Sequence, residues 1–155
     1  MGTPRTTMFG KGYVGTYQKT IRGMDTSLPT FVKGKKRILI VEDENTIASI
    51  YCDKFSREGF AVSYAVDGEE GLRMASEQKP DVILLDIILP RVNGFDVLQK
   101  LKANPMTMLI PVIMWTNLSQ PEDAQKARSL GAVDYLVKVN NLPSEVVERV
   151  KEYTK

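Results

Sequence analysis

The stretch from residue 81 to residue 94, DVILLDIILPRVNG, places one carboxylate, Asp86, inside an apolar run of the kind that forms a buried strand. A half-buried carboxylate is costly unless a cation or another polar partner lies beside it. Taken alone, Asp86 is equally well explained as a strand-end aspartate that caps the following loop. The ends of the other predicted strands therefore decide between a structural role and a chemical one.

Other reactive side chains also follow apolar runs: Glu42 and Asp43 after the first, Thr116 after the fourth and Lys138 after the fifth. Each has an ordinary explanation as a helix cap, a strand former or a surface lysine. Together they would meet at the carboxyl edge of a parallel sheet. Two carboxylates about 4 Å apart repel by about 4 kcal/mol at an effective dielectric constant of about 20, so a cation is expected among them. Oxygen ligands without histidine or cysteine favour Mg²⁺.

Apolar periodicity predicts the elements that must position these groups. Five strands are expected to alternate with five helices, and continuous apolar strands are typical of a parallel sheet covered on both faces. Right-handed crossovers then give a doubly wound α/β domain. The predicted strands are 37–41, 60–65, the run ending at Asp86, 110–115 and 132–137.

Capping residues predict where the helices begin. Asn45 is expected to cap the first helix, and Asp67 with Glu70 forms a capping box for the second. Asn93 should cap the third, and Ser119 with Glu122 should open the fourth. The predicted buried faces are Ile47, Ile50, Tyr51 and Phe55 for the first helix, Val97, Leu98 and Leu101 for the third, and Val146, Val147, Val150 and Tyr153 for the last.

Composition limits the classes of function. A chain of 155 residues, 43% hydrophobic and 26% charged, suits one globular domain with some surplus. The absence of histidine excludes Ser-His-Asp and Cys-His catalysis, histidine metal sites and a phosphohistidine donor. The single cysteine, Cys52, excludes an intramolecular disulfide and is expected to be a buried filler. This cysteine usage predicts a cytoplasmic location. The apolar runs are strand-sized, so neither a membrane span nor a secretory signal is expected.

Residues 1–34 differ from the rest of the chain and are predicted to be a disordered or loosely attached basic tail. They carry a net charge of +4, against −2 for residues 35–155. The match to a dinucleotide fingerprint at Gly10–Gly15 lacks a preceding strand and a following helix, so it is not interpreted as a nucleotide site. A nucleic-acid contact is less favoured than a solvated tail. A start codon at Met24 is the remaining alternative.

Over residues 35–155 the sequence resembles the receiver domain of two-component response regulators. The resemblance is carried by ILIVEDE, DVILLDIILPRVNG, PVIMWTN and GAVDYLVK, at that family's spacing and in its order. It implies a flavodoxin-like five-stranded parallel sheet of order 2-1-3-4-5 with helices on both faces. It also implies a single-domain response regulator in a phosphorelay, which is not an enzyme but assists its own phosphorylation and slow dephosphorylation.

The resemblance assigns a phosphoacceptor and a magnesium site. Asp86 is the implied phosphoacceptor and also a metal ligand. Asp43 is implied to bind Mg²⁺ directly and Glu42 to bind it through water. The backbone carbonyl of Ile88 is the remaining implied ligand.

The resemblance also assigns a switch. Thr116 is implied to bond the phosphoryl group, and Lys138 to pair with it. Tyr135 is implied to turn inward when Thr116 moves. The implied partners are a sensor histidine kinase or phosphotransfer protein and a downstream protein target. No DNA-binding domain is expected, because no effector domain follows the last helix in this sequence.

Three features depart from that family's pattern. Val139 follows Lys138 where a proline in a cis peptide is usual, and Asn117 follows Thr116 where a small residue is usual. The third departure is the tail. Because a cis bond to a non-proline residue costs about 2.5–4 kcal/mol, the Lys138–Val139 peptide is predicted to be trans.

Two other interpretations of the acidic edge remain. A dehalogenase-like phosphatase also uses an aspartate nucleophile on a doubly wound sheet, but it needs a second acid two residues later, where this chain has Ile88. A receiver-like module that binds partners without taking phosphate is the other alternative. Phosphorylation by a small-molecule donor distinguishes a phosphoaccepting receiver from such a binding module.

Overall fold

The computed structural model describes the backbone of residues 17–19 and the whole of residues 34–155. Within these residues a parallel sheet alternates with helices. The strands are β1 (Tyr17–Lys19), β2 (Arg37–Val41), β3 (Ala61–Ala65), β4 (Val82–Leu85), β5 (Val112–Thr116) and β6 (Asp134–Val137). The helices are α1 (Asn45–Arg57), α2 (Gly68–Gln78), α3 (Gly94–Ala103), α4 (Pro121–Ser129) and α5 (Pro143–Glu152), with a short 3-10 turn at Lys138–Asn140.

The strand order across the sheet is β1-β3-β2-β4-β5-β6, and all neighbours are parallel. Numbered among themselves, the strands from β2 onward follow the order 2-1-3-4-5, which confirms the predicted doubly wound fold. The additional edge strand, β1, was not predicted. It pairs in parallel with β3, with Tyr17 opposite Val62.

The prediction of a tail at residues 1–34 can be compared with the structure only over β1. A strand of three residues is too short to leave a periodic pattern in the sequence, so its pairing depends on the exposed edge of β3 rather than on a local signal. The glycine-rich match at Gly10–Gly15 and the alternative start at Met24 lie outside the described residues.

The core has two layers, one on each face of the sheet. One layer packs α1 and α5 against the sheet and includes Tyr51, Phe55, Trp115 and Val147. The other layer packs α2, α3 and α4 against the opposite face. Every residue of β4 is buried, as expected of a strand covered on both sides. The charged side chains therefore leave a sheet that is packed on both faces.

Several helix predictions are confirmed. The Asp67 side chain caps α2 by accepting from Glu70 N at 2.8 Å. The return bond of the predicted capping box is displaced by one residue, because the Glu70 side chain accepts at 3.0 Å from the N–H of Val66, the residue before the cap. Asn93 caps α3 by accepting from the backbone N–H groups of the following turn. The last helix buries Val146, Val147 and Val150, while Tyr153 is partly buried against the same cluster. Cys52 is a buried thiol in the core, as predicted.

Other predictions about α1 and α4 were wrong. Glu44 occupies the N-cap of α1, and Asn45 is its first helical residue. Ile50 is 53% exposed, because the buried face of α1 is formed by Ala48, Tyr51, Cys52 and Phe55. The fourth helix begins at Pro121 rather than near Ser119. Proline suits the first helical position since its missing N–H would have no partner there.

Within the described part of the chain, no helix is both long and apolar enough to cross a membrane.

Candidate functional site

The sheet register brings the ends of β2 and β4 together. Val41 and Leu85 are paired in the sheet, and Asp86 N donates to Val41 O at 3.1 Å. The next residue of each strand is a carboxylate, Glu42 or Asp86. In the same way Thr116 pairs with Val137 at the ends of β5 and β6, so that Lys138 leaves the sheet beside Thr116. The predicted convergence at the carboxyl edge is therefore present.

Lys138 is the cation of this edge. Its Nζ lies 2.9 Å from Asp86 Oδ2 and also donates to Glu42 Oε1. The Lys138 side chain is only 10% exposed, and those of Glu42 and Asp86 are 1% and 7% exposed. The amine is therefore shared by two carboxylates away from bulk water, where an unpaired charge would be strongly destabilising.

Backbone N–H groups hold the two buried carboxylates in place. Asp86 Oδ1 accepts from Ile87 N at 2.7 Å and from Ile88 N at 3.3 Å. Glu42 Oε2 accepts from Glu44 N at 3.0 Å. Each carboxylate therefore uses one oxygen for the backbone and the other for Lys138, which fixes its orientation.

Asp43 completes an acidic cluster that fits a hard divalent cation. One carboxylate oxygen from each of Glu42, Asp43 and Asp86 can be chosen so that all lie within 4.8 Å of one another. Asp43 is exposed, whereas the other two are buried, so the cluster opens toward solvent on its Asp43 side. Carboxylate oxygens on an open edge suit Mg²⁺, which keeps several waters in its coordination shell.

Burial and nearby charged groups set the protonation states of Glu42 and Lys138. Burial raises the pKa of Glu42, although hydrogen bonds from Lys138 and Glu44 N oppose that shift. Burial alone would lower the pKa of Lys138, but the hydrogen bond to Glu42 and the charge of Asp86 outweigh it, and the pKa is raised. Lys138 is therefore held as an ammonium group beside Asp86.

The residues predicted to form the switch lie at the ends of β5 and β6. Thr116 is fully buried, and its Oγ1 accepts from Leu118 N at 3.4 Å. Tyr135 is half-buried, and its hydroxyl donates to Leu118 O at 2.7 Å. Burial raises the pKa of Tyr135 to about 12, so the phenol stays protonated and remains a donor. Both side chains contact the loop that follows β5.

Two loops around the site carry exposed apolar side chains. Ile88, whose carbonyl is the implied metal ligand, has a side chain that is 61% exposed. Val139 is 78% exposed. No peptide bond among the described residues is cis, so the predicted trans geometry at Lys138–Val139 is confirmed. The chain turns there through the 3-10 turn Lys138–Asn140.

The indole ring of Trp115 packs against the Lys138 amine. The ring is fully buried, and Lys138 Nζ lies 4.5 Å from the ring centroid. Tyr51 meets the same ring edge-on, with centroids 4.5 Å apart. The sequence analysis placed Trp115 at the end of the predicted strand 110–115, and nothing in the sequence indicated that the ring would contact the Lys138 amine. A cation over an indole face is an attractive electrostatic contact.

Gly94 is a site-supporting residue that the sequence analysis did not identify. A Cβ at this position would lie 2.1 Å from Asp86 O and 2.5 Å from Ile87 Cα. Gly94 N also donates to Ile87 O at 2.8 Å. The first residue of α3 therefore packs directly against the backbone of Asp86. The only sequence signal was a glycine immediately after the cap Asn93.

Gly94→Ala is expected to lower the free energy of unfolding by roughly 1–3 kcal/mol or more, because the added methyl group meets rigid backbone atoms. Urea denaturation measures the difference. Gly71→Ala is the matched control, since the atoms nearest to its Cβ would be the side-chain methyl groups of Val41 at 3.0 and 3.1 Å rather than backbone atoms, and alanine is favoured in a helix. Equal losses in the two variants would show that the Gly94 contact is not tight.

Comparisons with known proteins agree with this geometry. Residues 38–151 match the family model described as the response regulator receiver domain. The DNA-binding dual master transcriptional regulator RpaA of Synechocystis is 39% identical over 115 residues, which is 74% of this chain and 47% of the relative. The chain thus spans about half the length of the curated relatives it matches.

Solved structures show the same fold. The chemotaxis protein CheY4 of Vibrio cholerae superimposes with a TM-score of 0.73 at 26% identity, covering 77% of this chain and 99% of that one. A CheY-like receiver domain protein from Methanospirillum hungatei gives a TM-score of 0.70 at 31% identity, covering 77% of this chain and 93% of that one.

Proposed function

Because the chain belongs to the response regulator receiver domain family, we propose that it is an Mg²⁺-dependent phosphoacceptor in a histidine-to-aspartate phosphorelay, with Asp86 as the acceptor. The observation that carries the proposal is the placement of Lys138 Nζ 2.9 Å from Asp86 Oδ2, beside the acidic cluster of Glu42, Asp43 and Asp86. This arrangement supports the proposal, because phosphoryl transfer is promoted by positive charge, and Asp86 lies beside both an ammonium group and carboxylates of the type that bind Mg²⁺.

The proposed reaction is an in-line displacement. A carboxylate oxygen of Asp86 forms the new bond to phosphorus, and the leaving group departs with the electron pair of the bond that breaks. Lys138 offsets the negative charge of the phosphoryl oxygens, and the N–H groups of Ile87 and Ile88 hold the carboxylate in position. Asp43, Asp86 and the Ile88 carbonyl, with Glu42 acting through a water molecule, would hold a magnesium ion at the acidic cluster. The ion would supply a second positive charge there.

Phosphorylation is proposed to act on a protein-binding face through Thr116 and Tyr135. Both contact the loop after β5, through Leu118 N and Leu118 O. A phosphoryl group that draws Thr116 toward Asp86 would move this loop, and the tyrosine bonded to it would move as well.

The proposed upstream partner is a sensor histidine kinase or phosphotransfer protein. The proposed output is a contact with a downstream protein target. Residues 35–155 are proposed to be the phosphorylated unit.

The direct test of the proposed function is the intact mass after incubation with acetyl phosphate. The wild-type protein should gain one phosphoryl group with Mg²⁺ and far less with EDTA. An unmodified mass in both conditions would favour a module that binds its partner without phosphate. This donor is a small molecule, so the test needs no knowledge of the cognate kinase.

Mg²⁺ is expected to bind before phosphorylation and to change the emission of Trp115, the only tryptophan. Lys138 lies over the indole ring and donates to two of the carboxylates, so ion binding there should shift the amine. A fluorescence titration measures the response. Asp43→Ala should abolish it, whereas Asp96→Ala, on the exposed start of α3, should not. An unchanged titration in Asp43→Ala would remove Asp43 from the ligand set.

Self-dephosphorylation is expected to be slow. In receivers, the side chains two residues after the acceptor and two after the threonine flank the path of the attacking water, and here they are Ile88 and Leu118. Neither side chain can orient a water by hydrogen bonding, so the reaction loses the advantage of a positioned nucleophile. The test labels the protein, removes the donor and follows the decay of the phosphorylated mass.

Ile88→Asn and Leu118→Glu should both shorten that lifetime. Ile50→Asn is the matched control, because Ile50 is a similarly exposed isoleucine on α1. If the two polar variants decay no faster than the control, these two positions do not set the lifetime of the phosphorylated state.

A further inference from the structure

One hydrogen bond connects the loops that follow β5 and β6. Asn117 Oδ1 accepts from Val139 N at 3.2 Å. Asn117 is the residue after Thr116, and Val139 is the residue after Lys138. Since Thr116 pairs with Val137 in the sheet, this bond continues the contact between β5 and β6 one step beyond their ends. It joins the loop that begins directly after Thr116 to the turn that carries Lys138.

The bond satisfies a donor that the turn cannot satisfy itself. Val139 lies in the 3-10 turn Lys138–Asn140, and the first N–H groups of a helical turn have no acceptor within it. Asn117 supplies that acceptor from the neighbouring loop. On the other side of the turn, Asn141 Nδ2 donates to Val137 O at 2.9 Å. Two asparagine side chains therefore hold the segment that carries Lys138.

Asn117 and Val139, the two residues that depart from the receiver pattern, are partners in this hydrogen bond. A proline at position 139 has no N–H and could not donate to Asn117. An alanine or glycine at position 117 would have no side-chain acceptor for Val139. The trans peptide at Lys138–Val139 and the asparagine after Thr116 thus form one arrangement.

We propose that Asn117 is a positioning residue of the phosphoacceptor site, which fixes the Lys138 turn through its hydrogen bond to Val139 N and thereby holds the Lys138 amine against Asp86. This inference rests on the proposed function. The same hydrogen bond links the proposed switch residue Thr116 to Lys138. A displacement of Thr116 on phosphorylation moves Asn117, and Asn117 is bonded to the turn that carries Lys138.

The first test is amide hydrogen exchange at position 139 in the unphosphorylated protein. Asn117→Ala should speed exchange of that amide roughly two- to tenfold, the factor set by the loss of one exposed hydrogen bond. Val139→Ala is the matched control, because it keeps the donor while removing the exposed side chain. Both positions are exposed, so neither change should disturb the core. Unchanged exchange in Asn117→Ala would overturn the inference.

The second test measures the position of Lys138 before and during phosphorylation. Asn117→Ala should change the emission of Trp115, whose ring lies 4.5 Å from Lys138 Nζ, and should slow labelling by acetyl phosphate roughly two- to tenfold. Val139→Pro, which removes the donor, should slow labelling in the wild-type background. In the Asn117→Ala background, Val139→Pro should slow labelling much less, because the hydrogen bond is already lost. Val139→Ala should change the labelling rate little in either background.

The outcomes separate this inference from the proposed function. Additive effects of Asn117→Ala and Val139→Pro, or unchanged Trp115 emission and labelling despite faster exchange, would reduce Asn117 to a local loop contact and contradict the positioning role. If the wild-type protein takes up no phosphoryl group at all, the proposed function fails. The exchange and emission measurements still decide whether Asn117 positions Lys138, because both use the unphosphorylated protein.

Discussion

Asp86→Asn is expected to take up no phosphoryl group from acetyl phosphate and Mg²⁺ under conditions that label the wild-type protein fully. The amide is close in size to the carboxylate, and its oxygen can still accept from Ile87 N and Ile88 N, so the loop after β4 should keep its conformation. The amide carries no charge and is a poor nucleophile, so the bond to phosphorus is not formed. Intact-mass spectrometry measures the loss.

Asp96→Asn is the matched control for that variant. Asp96 lies in the exposed first turn of α3 and is not a member of the acidic cluster, so Asp96→Asn should label like the wild type. Labelling of Asp86→Asn at the wild-type rate would place the acceptor elsewhere. A loss of labelling in both variants would point to a general change in the protein rather than to the acceptor.

Lys138→Met should slow labelling by acetyl phosphate by roughly 10²-fold, the usual cost of removing one group that stabilises developing negative charge. The methionine side chain keeps much of the packing over Trp115 but loses the ammonium that lies between Glu42 and Asp86. Lys100→Met, at an exposed position of α3, is the control. A wild-type labelling rate in Lys138→Met would remove the lysine from the reaction.

Lys138→Met should also be less stable than the wild type, by an amount that depends on pH. Without Lys138, Glu42 and Asp86 are left as buried carboxylates, and the free energy of unfolding in EDTA should fall by about 3 kcal/mol. Burial already raises the pKa of Glu42, and losing Lys138 raises it further. A carboxylate whose pKa is higher in the folded protein than in the unfolded chain binds more protons in the folded state. The loss of stability in Lys138→Met relative to the wild type should therefore grow as the pH rises through the folded-state pKa of Glu42 and shrink as the pH falls below it. A deficit independent of pH would contradict this account.

The sequence predicted the fold and the location of the site because both depend on local signals. Continuous apolar runs identified β2 to β6, and the charged residues that end them, such as Glu42, Asp86 and Lys138, follow directly from the run boundaries. In a parallel sheet those boundaries must lie on one edge.

The features that the sequence did not predict depend on tertiary contacts. Nothing in a three-residue segment indicated that β1 would pair with β3. The exposure of Ile50 depends on which face of α1 meets α5 and the sheet. The Asn117–Val139 bond joins residues in separate loops, and the requirement for glycine at position 94 comes from the path of the backbone at Asp86. Such contacts exist only after the chain has folded.

The most direct measurement of the central claim locates the acyl phosphate in the wild-type protein without any substitution. The protein is labelled with acetyl phosphate and Mg²⁺ and then treated with borohydride, which reduces an aspartyl phosphate to homoserine. Peptide mapping should find homoserine at position 86, only after labelling and not in EDTA. Homoserine at position 43, at another carboxylate or at none would contradict the assignment of Asp86 as the phosphoacceptor.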